Sequence, residues 1–162
     1  MRGRRTAAGE PLASALRLLA GRDFSRAELG RRLEAGGFPP GEVEKTLARL
    51  EERGHLDDRR LARRLAILLA GEKLLGPRRI EQKLTQRGIP PNLAGEALAQ
   101  ADEILAVGER LRRVLRRKLQ GRSPREIPPA EGRRLAHSLS RQGFSWEEIE
   151  ETFRGEGVFW EP

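Results

Sequence analysis

Two histidines and a pair of aspartates are the residues of this chain whose types suit acid–base or metal chemistry. The chain has no cysteine, and His55 and His137 have no further ligand at metal-binding spacing. Asp57 and Asp58 are adjacent, but they stand just before a helical apolar pattern, where helix capping explains them. We therefore expect no catalytic residue, no metal site and no cofactor. A nuclease that uses Asp57 and Asp58 is kept as an alternative.

Basic side chains are the functional groups that this chain does concentrate. Of its 162 residues, 32 are Lys or Arg and 24 are Asp or Glu, which gives a net charge of +8. The excess lies in the middle of the chain, over residues 59–141, whereas 142–162 is acidic. A cationic surface of this kind attracts a polyanion or an acidic protein face. The alternative is an arginine-rich surface that serves solubility alone.

The basic residues cluster at helical spacing in three segments. In the densest segment, six charges (Arg110, Arg112, Arg113, Arg116, Arg117 and Lys118) flank an apolar stripe, and all six are predicted to project from the remaining arc of the helix. Matching positions on successive units can join into one stripe. The predicted binding face consists of Arg78, Arg79, Lys83, Arg87, Arg112, Arg113, Arg116, Arg117, Arg133, Arg134 and Arg141.

One apolar pattern that would position these clusters occurs three times. Each copy has two apolar residues four positions apart, a glycine four residues after the second, and an apolar residue directly after the glycine. The glycines are Gly37, Gly88 and Gly143, and each is predicted to adopt the left-handed conformation that ends a helix. Each copy is therefore a helix, a tight turn and a second helix.

Further signals mark where helices begin. Ser25 with Glu28 and Ser145 with Glu148 have the spacing of a capping box, while Pro77 and Pro129 suit a first helical turn. Amphipathic helices are also predicted ahead of each pair, over about 11–20, 58–74 and 102–120. The sequence thus predicts an all-α fold: three tandem three-helix repeats that form an elongated, curved array.

The expected organisation divides the chain into five segments. They are a disordered basic tail at 1–10, repeats at 11–56, 57–100 and 101–155, and a C-terminal tail at 156–162. No stretch is apolar enough for a membrane span, and the basic start leads into no signal peptide, so we expect a cytoplasmic protein.

Together these motifs resemble the RecX family of regulatory proteins, bacterial modulators of the recombinase RecA. The resemblance rests on 25–29 (SRAEL) with Gly37 and Phe38, on 56–58 (LDD) with Leu61 and Ala62, on 76–80 (GPRRI) with Gly88 and Ile89, and on Gly143 and Phe144. It extends over about residues 12–154.

The resemblance implies a regulatory protein that is not an enzyme. Members of the family lie in the helical groove of the RecA filament on single-stranded DNA and reduce its ATPase, strand-exchange and co-protease activities. The implied partner is the RecA filament, with single-stranded DNA contacted directly or through the filament, and we expect a monomer.

A winged-helix transcription regulator is the main alternative. Residues 25–33 and 43–56 also have the pattern of a helix-turn-helix that leads into a wing. Against this alternative, the residues from Asp57 onward have a helical pattern rather than that of a strand pair, and the unit recurs twice more.

Overall fold

A computed structural model describes residues 10–160, and over that range the chain forms nine α-helices, one short 3-10 turn and no β-strand. The helices are α1 (Pro11–Gly21), α2 (Arg26–Ala35), α3 (Pro40–Glu52), α4 (Asp58–Gly71), α5 (Pro77–Gln86), α6 (Pro91–Ile104), α7 (Val107–Leu119), α8 (Pro129–Arg141) and α9 (Trp146–Glu156). The 3-10 turn (Pro124–Glu126) lies between α7 and α8. Because α4 begins directly after Asp57, no wing follows Leu56, and the winged-helix alternative finds no support.

The helix starts predicted from capping boxes and from Pro77 and Pro129 are confirmed. At the start of α2, the Glu28 N–H donates to Ser25 Oγ (3.1 Å) and the Ser25 N–H donates to the Glu28 carboxylate (3.0 Å). Ser145 and Glu148 make the same reciprocal pair at the start of α9. Each pair satisfies amide donors that the first helical turn otherwise leaves free.

One predicted helix is wrong at its start. The helix predicted over 102–120 is α7, which begins only at Val107, because α6 continues to Ile104 and the extended conformation of Leu105 separates the two helices. The break between the helices, Leu105 and Ala106, contains neither glycine nor proline, so the local breaker signals that mark the other turns are absent here.

Buried apolar residues fall into three clusters, each built by three consecutive helices. Helices α1–α3 form the first cluster, α4–α6 the second and α7–α9 the third. We call these the N-terminal, middle and C-terminal groups. Leu74, in the loop after α4, packs into the cluster of the C-terminal group, so the middle and C-terminal groups share apolar surface.

The two predicted tails lie mostly outside or at the edge of the described range. Of residues 1–10, only Glu10 is described, as the residue that precedes α1. Helix α9 runs through Glu156, and Val158 is buried in the third cluster. No helix within residues 10–160 has the length and apolar character needed to cross a membrane.

Candidate interaction surface

Three glycine turns share one backbone geometry. The φ angle is +96° at Gly37, +76° at Gly88 and +97° at Gly143. In each turn the N–H of the residue after the glycine donates to the carbonyl oxygen five residues earlier, at 3.3, 3.1 and 3.3 Å. This is the Schellman ending of a helix, which places the following apolar residue back on the helix it leaves. The left-handed conformation matches what the spacing predicts.

The start of α2 sits on the second of these turns. The Ser25 hydroxyl donates to the carbonyl oxygen of Arg87, and a Cβ added to Gly88 would lie only 2.6 Å from Cβ of Ala27. The Arg87 guanidinium donates to both Glu28 carboxylate oxygens, from Nε at 3.0 Å and from Nη2 at 2.7 Å. We call this set of interactions the N–M contact. It joins the N-terminal and middle groups through a bidentate ion pair.

The ion pair changes the titration of Glu28. Partial burial alone would raise the pKa of Glu28, but the hydrogen bonds from Arg87 and the Ser25 amide, with the nearby arginine charges, outweigh it and the pKa is lowered. Glu28 is therefore ionised whenever the N–M contact is intact near neutral pH.

Asp58 contributes to the same contact from the start of α4. Its carboxylate accepts from the Arg26 N–H at 2.8 Å, while Asp57 accepts from the Arg60 N–H at 2.9 Å. Burial raises the pKa of Asp58 in spite of the Arg26 amide. Both aspartates thus serve helix starts. Within residues 10–160, no three His, Asp or Glu side chains are grouped so that they could hold a metal ion.

The start of α5 packs on the third glycine turn, at Gly143, as the start of α2 packs on the second. The Gly76 N–H donates to the carbonyl oxygen of Gln142 at 2.9 Å, and the Arg78 N–H donates to that of Gly143 at 3.2 Å. A Cβ added to Gly76 would lie 2.2 Å from the Gly143 carbonyl carbon. We call this the M–C contact. Its two backbones approach so closely that only glycine fits at these positions.

A buried arginine reinforces the M–C contact and corrects one prediction. Arg110, expected to project outward with its five neighbours, is 0% exposed. It donates from Nη1 to the Leu75 carbonyl oxygen at 3.2 Å and pairs with Asp102. Burial lowers the pKa of Arg110 and raises that of Asp102, although each charge favours the ionised form of the other. Arg110 lies on the inner side of α7, with the apolar stripe.

The predicted binding-face residues are of three kinds: those in ion pairs, one that is partly buried, and those that are exposed without an ion pair. Arg87 pairs with Glu28 in the N–M contact, and Arg112 and Arg113 both pair with Glu109, at 3.3 and 3.1 Å. Lys83 is partly buried. The others are exposed and form no ion pair with any residue between 10 and 160: Arg78, Arg79, Arg116, Arg117, Arg133, Arg134 and Arg141.

The structure brings the three basic helices next to one another. The Arg78 amide bond to Gly143 places the start of α5 beside the turn between α8 and α9. The Lys118 Nζ donates to Ser138 Oγ at 2.9 Å, which joins α7 to α8. That the exposed arginines of these helices form one continuous face remains a prediction.

Sequence reasoning missed the residues that join the groups. Gly76 and Arg87 act through partners more than 30 positions away, and so does Arg110 in its hydrogen bond to Leu75, although its ion-pair partner Asp102 is only 8 positions away. Nothing in the local pattern marks the distant partners. The one available signal is the alignment of the copies, which sets Ser25 and Gly76 at the same position.

Comparison with known proteins identifies matching family models. The model described as "RecX, first three-helix domain" matches residues 12–50, and "RecX, second three-helix domain" matches residues 57–98. Curated relatives named "Regulatory protein RecX" include that of Trichlorobacter lovleyi, 34% identical with 86% of this chain and 91% of the relative covered. The relative from Chlorobaculum tepidum is 37% identical, with 86% and 84% covered.

Solved structures match in fold. The crystal structure of RecX from Lactobacillus salivarius superposes with a TM-score of 0.79 at 20% identity, covering 90% of this chain and 94% of that one. The helical fold is therefore shared at low sequence identity. With two family models that together match half of the chain, and relatives above 30% identity over most of it, the chain belongs to the RecX family of regulatory proteins.

Proposed function

We propose that this protein binds the RecA recombinase and its filament on single-stranded DNA, and that binding lowers the ATPase, strand-exchange and co-protease activities of the filament. The observation that carries the proposal is membership of the RecX family. The protein would act in the cytoplasm as a monomer and modulate recombination and DNA repair without doing covalent chemistry.

The exposed arginines support a polyanionic or acidic target. Seven predicted binding-face arginines in the middle and C-terminal groups have no ion-pair partner among the described residues, so their charge is available to a ligand. A nucleoprotein filament offers both phosphate and acidic protein surface. Arg87 is assigned instead to holding the N–M contact.

The shape of the chain suits a long ligand. We propose that the three groups are tandem copies of one three-helix unit, arranged as an elongated and curved array. Supporting this, each group has its own apolar cluster, and the N–M and M–C contacts join matching positions of neighbouring groups. Such an array can touch more than one filament subunit.

The mechanism we propose is a shift in filament populations. The protein would bind more tightly to a filament state that is less competent for exchange, or to one that disassembles, and it shifts the equilibrium only as far as these affinities differ. No group on the protein needs to react.

Titration of single-stranded-DNA-dependent recombinase ATPase with this protein tests the proposal. We expect the rate to fall as the protein is added, and inhibition at substoichiometric amounts would place the action on filament growth. An unchanged ATPase rate at saturating protein would contradict the proposed inhibition, and the absence of binding to the filament would contradict the proposal as a whole.

A further inference from the structure

Two of the three matching glycine turns are covered by a helix start, and the first is not. Gly143 is buried beneath the start of α5, and Gly88 is partly covered by the start of α2. In the turn of the N-terminal group, Gly36 and Gly37 are both exposed. Among residues 10–160, no hydrogen bond reaches the carbonyl oxygen of either.

A groove lies beside this exposed turn. It has a volume of about 370 Å³, and its walls combine the apolar side chains of Leu18, Leu33 and Phe38 with two arginines, Arg17 and Arg32. Ser14 and Gly36 complete the lining, and no acidic side chain belongs to it. The groove therefore offers an apolar floor with positive charge at its edge. We call it the end groove.

We infer that the end groove docks the first turn of a helix from a partner protein, and that this helix has a small residue at its N-cap and a carboxylate in its first turn. The N–M contact supplies the pattern. There the N-cap hydroxyl of Ser25 donates to a turn carbonyl oxygen, and the first-turn carboxylate of Glu28 pairs with an arginine. At the end groove Gly36 takes the position of Arg87, so Arg17 and Arg32, from the groove's edge, would pair with the carboxylate instead.

Charge and geometry favour a partner protein over this chain itself. The segment 1–10 carries three arginines and one glutamate, so it would meet Arg17 and Arg32 with like charge. In a second copy, the starts of α2 and α5 are already used in the N–M and M–C contacts. The first turn of α9 lies against the chain's own C-terminal segment, because the Trp146 ring stacks on Trp160 with ring centroids 5.8 Å apart, and Glu109 in the first turn of α7 is already paired with Arg112 and Arg113. The first turn of α8 lies against the chain's own C-terminal segment, because a Cβ added to Gly132 would lie 2.8 Å from the Phe159 carbonyl oxygen.

The partner follows from the function proposed above, on which this inference rests: it is a protein subunit of the recombinase filament. The end groove then adds a protein contact at one end of the array, separate from the arginines that face phosphate or acidic surface. It would fix the register of the array on the filament subunits.

Equilibrium binding to the recombinase filament on single-stranded DNA tests the inference with two kinds of variant. Ser14→Trp fills the end groove and keeps both arginines, although it removes the hydrogen bond that Arg17 Nη2 donates to Ser14 Oγ at 3.1 Å. Arg17→Glu/Arg32→Glu reverses the charge and leaves the space. The matched control, Arg49→Glu/Arg53→Glu, reverses two exposed charges elsewhere in the N-terminal group. All variants are first checked for helical circular dichroism and thermal unfolding.

We expect both groove variants to bind the filament about tenfold more weakly than the wild type, and the control to stay within about twofold. Wild-type affinity in Ser14→Trp would overturn the inference, even if the charge reversal weakened binding, because the effect would then be general electrostatics. A wild-type dimer that Ser14→Trp dissolves would overturn it by assigning the groove to a second copy. If removal of residues 2–9 and Ser14→Trp both lowered the thermal stability by the same amount, the chain's own N-terminus would be the occupant of the groove and the inference would be overturned.

The two hypotheses fail differently in this experiment. If the wild type does not bind the filament, the proposed function fails. If the wild type binds and the groove variants bind equally well, only the end groove inference fails.

Discussion

The N–M and M–C contacts join matching positions with different chemistry. In both, a helix start sits on the glycine turn of the next group, with Ser25 on the Arg87–Gly88 turn and Gly76 on the Gln142–Gly143 turn. The N–M contact relies on charged side chains that remain partly exposed, 25% for Arg87 and 17% for Glu28. The M–C contact relies on backbone hydrogen bonds, close approach of two glycines and the fully buried Arg110.

The same helix-on-turn arrangement is therefore held by contacts of different sensitivity in the two places. Ion pairs between partly exposed groups weaken with salt and with protonation, whereas backbone packing does not respond to either. The N-terminal group should therefore move relative to the middle group more readily than the middle group moves relative to the C-terminal one.

The largest effect is expected from Gly76→Ala in the M–C contact. The new Cβ would lie 2.2 Å from the backbone of Gly143, which cannot move aside as a flexible side chain would. We expect the free energy of unfolding in urea to fall by about 3 kcal/mol.

Gly95→Ala is the control for this substitution. Gly95 lies within α6, and a Cβ there would meet no atom within 4 Å, so alanine should stabilise the chain by about 0.5–1 kcal/mol. A neutral Gly76→Ala would show that the two groups do not pack as described.

The next largest effect is expected from replacing Arg110 in the M–C contact and Arg87 in the N–M contact, one at a time. Arg110→Met leaves Asp102 without its partner beside a buried site, although this carboxylate is 33% exposed and can be partly hydrated. We expect a loss of about 2 kcal/mol, against about 1 kcal/mol for Arg87→Met, since Arg87 is partly exposed to solvent whereas Arg110 is fully buried. Urea unfolding at low salt and in 1 M NaCl measures both.

Salt should separate the two arginines. The cost of Arg87→Met should shrink in 1 M NaCl because screening has already weakened the pair, and the cost of Arg110→Met should stay the same. If salt changed the destabilisation by Arg87→Met and by Arg110→Met equally, the N–M contact would be no more salt-sensitive than the M–C contact, against our expectation.

The helices and turns were predictable because their signals are local. A serine with a glutamate three positions later, a proline in a first turn and a glycine after an apolar pair each act through the backbone of their own segment. Thus the starts of α2 and α9 and the turn at Gly143 follow from short stretches of sequence.

The contacts between groups were not predictable in this way. Arg87 donates to Glu28, 59 positions away, and Arg110 donates to Leu75, 35 positions away. The roles of these arginines therefore depend on how the folded groups pack against one another. Arg110 also sits among basic neighbours, where a helical pattern favours exposure. The predicted binding face could name the exposed arginines, but it could not separate them from Arg87, whose charge is already paired.

The smallest effect is expected from pH. Glu28 has a lowered pKa in the folded chain, so its stabilising contribution is present above the ordinary value of about 4.3 and is lost as the pH falls through the folded value. The stability difference between wild type and Glu28→Gln should therefore shrink on acidification below about pH 4.3.

Asp102 should behave in the opposite sense. Its pKa is raised, so its contribution is present below the ordinary value of about 3.9 and is lost as the pH rises through the folded value. Relative to Asp102→Asn, the wild type should gain stability on acidification. Urea unfolding between pH 3 and 7 measures both stability differences. If the two differences changed with pH in the same direction, the opposite pKa shifts of Glu28 and Asp102 would be contradicted.

The most direct test of the account is whether the exposed arginines bind the recombinase filament. Arg78→Glu/Arg79→Glu/Lys83→Glu reverses three charges in α5 of the middle group, and Lys45→Glu/Arg49→Glu/Arg53→Glu reverses three in α3 and at the residue directly after it. With circular dichroism unchanged, we predict that the first variant binds the filament at least about tenfold more weakly and with a shallower salt dependence, while the second stays within about twofold of the wild type. Equal binding by the first variant and the wild type would contradict the account.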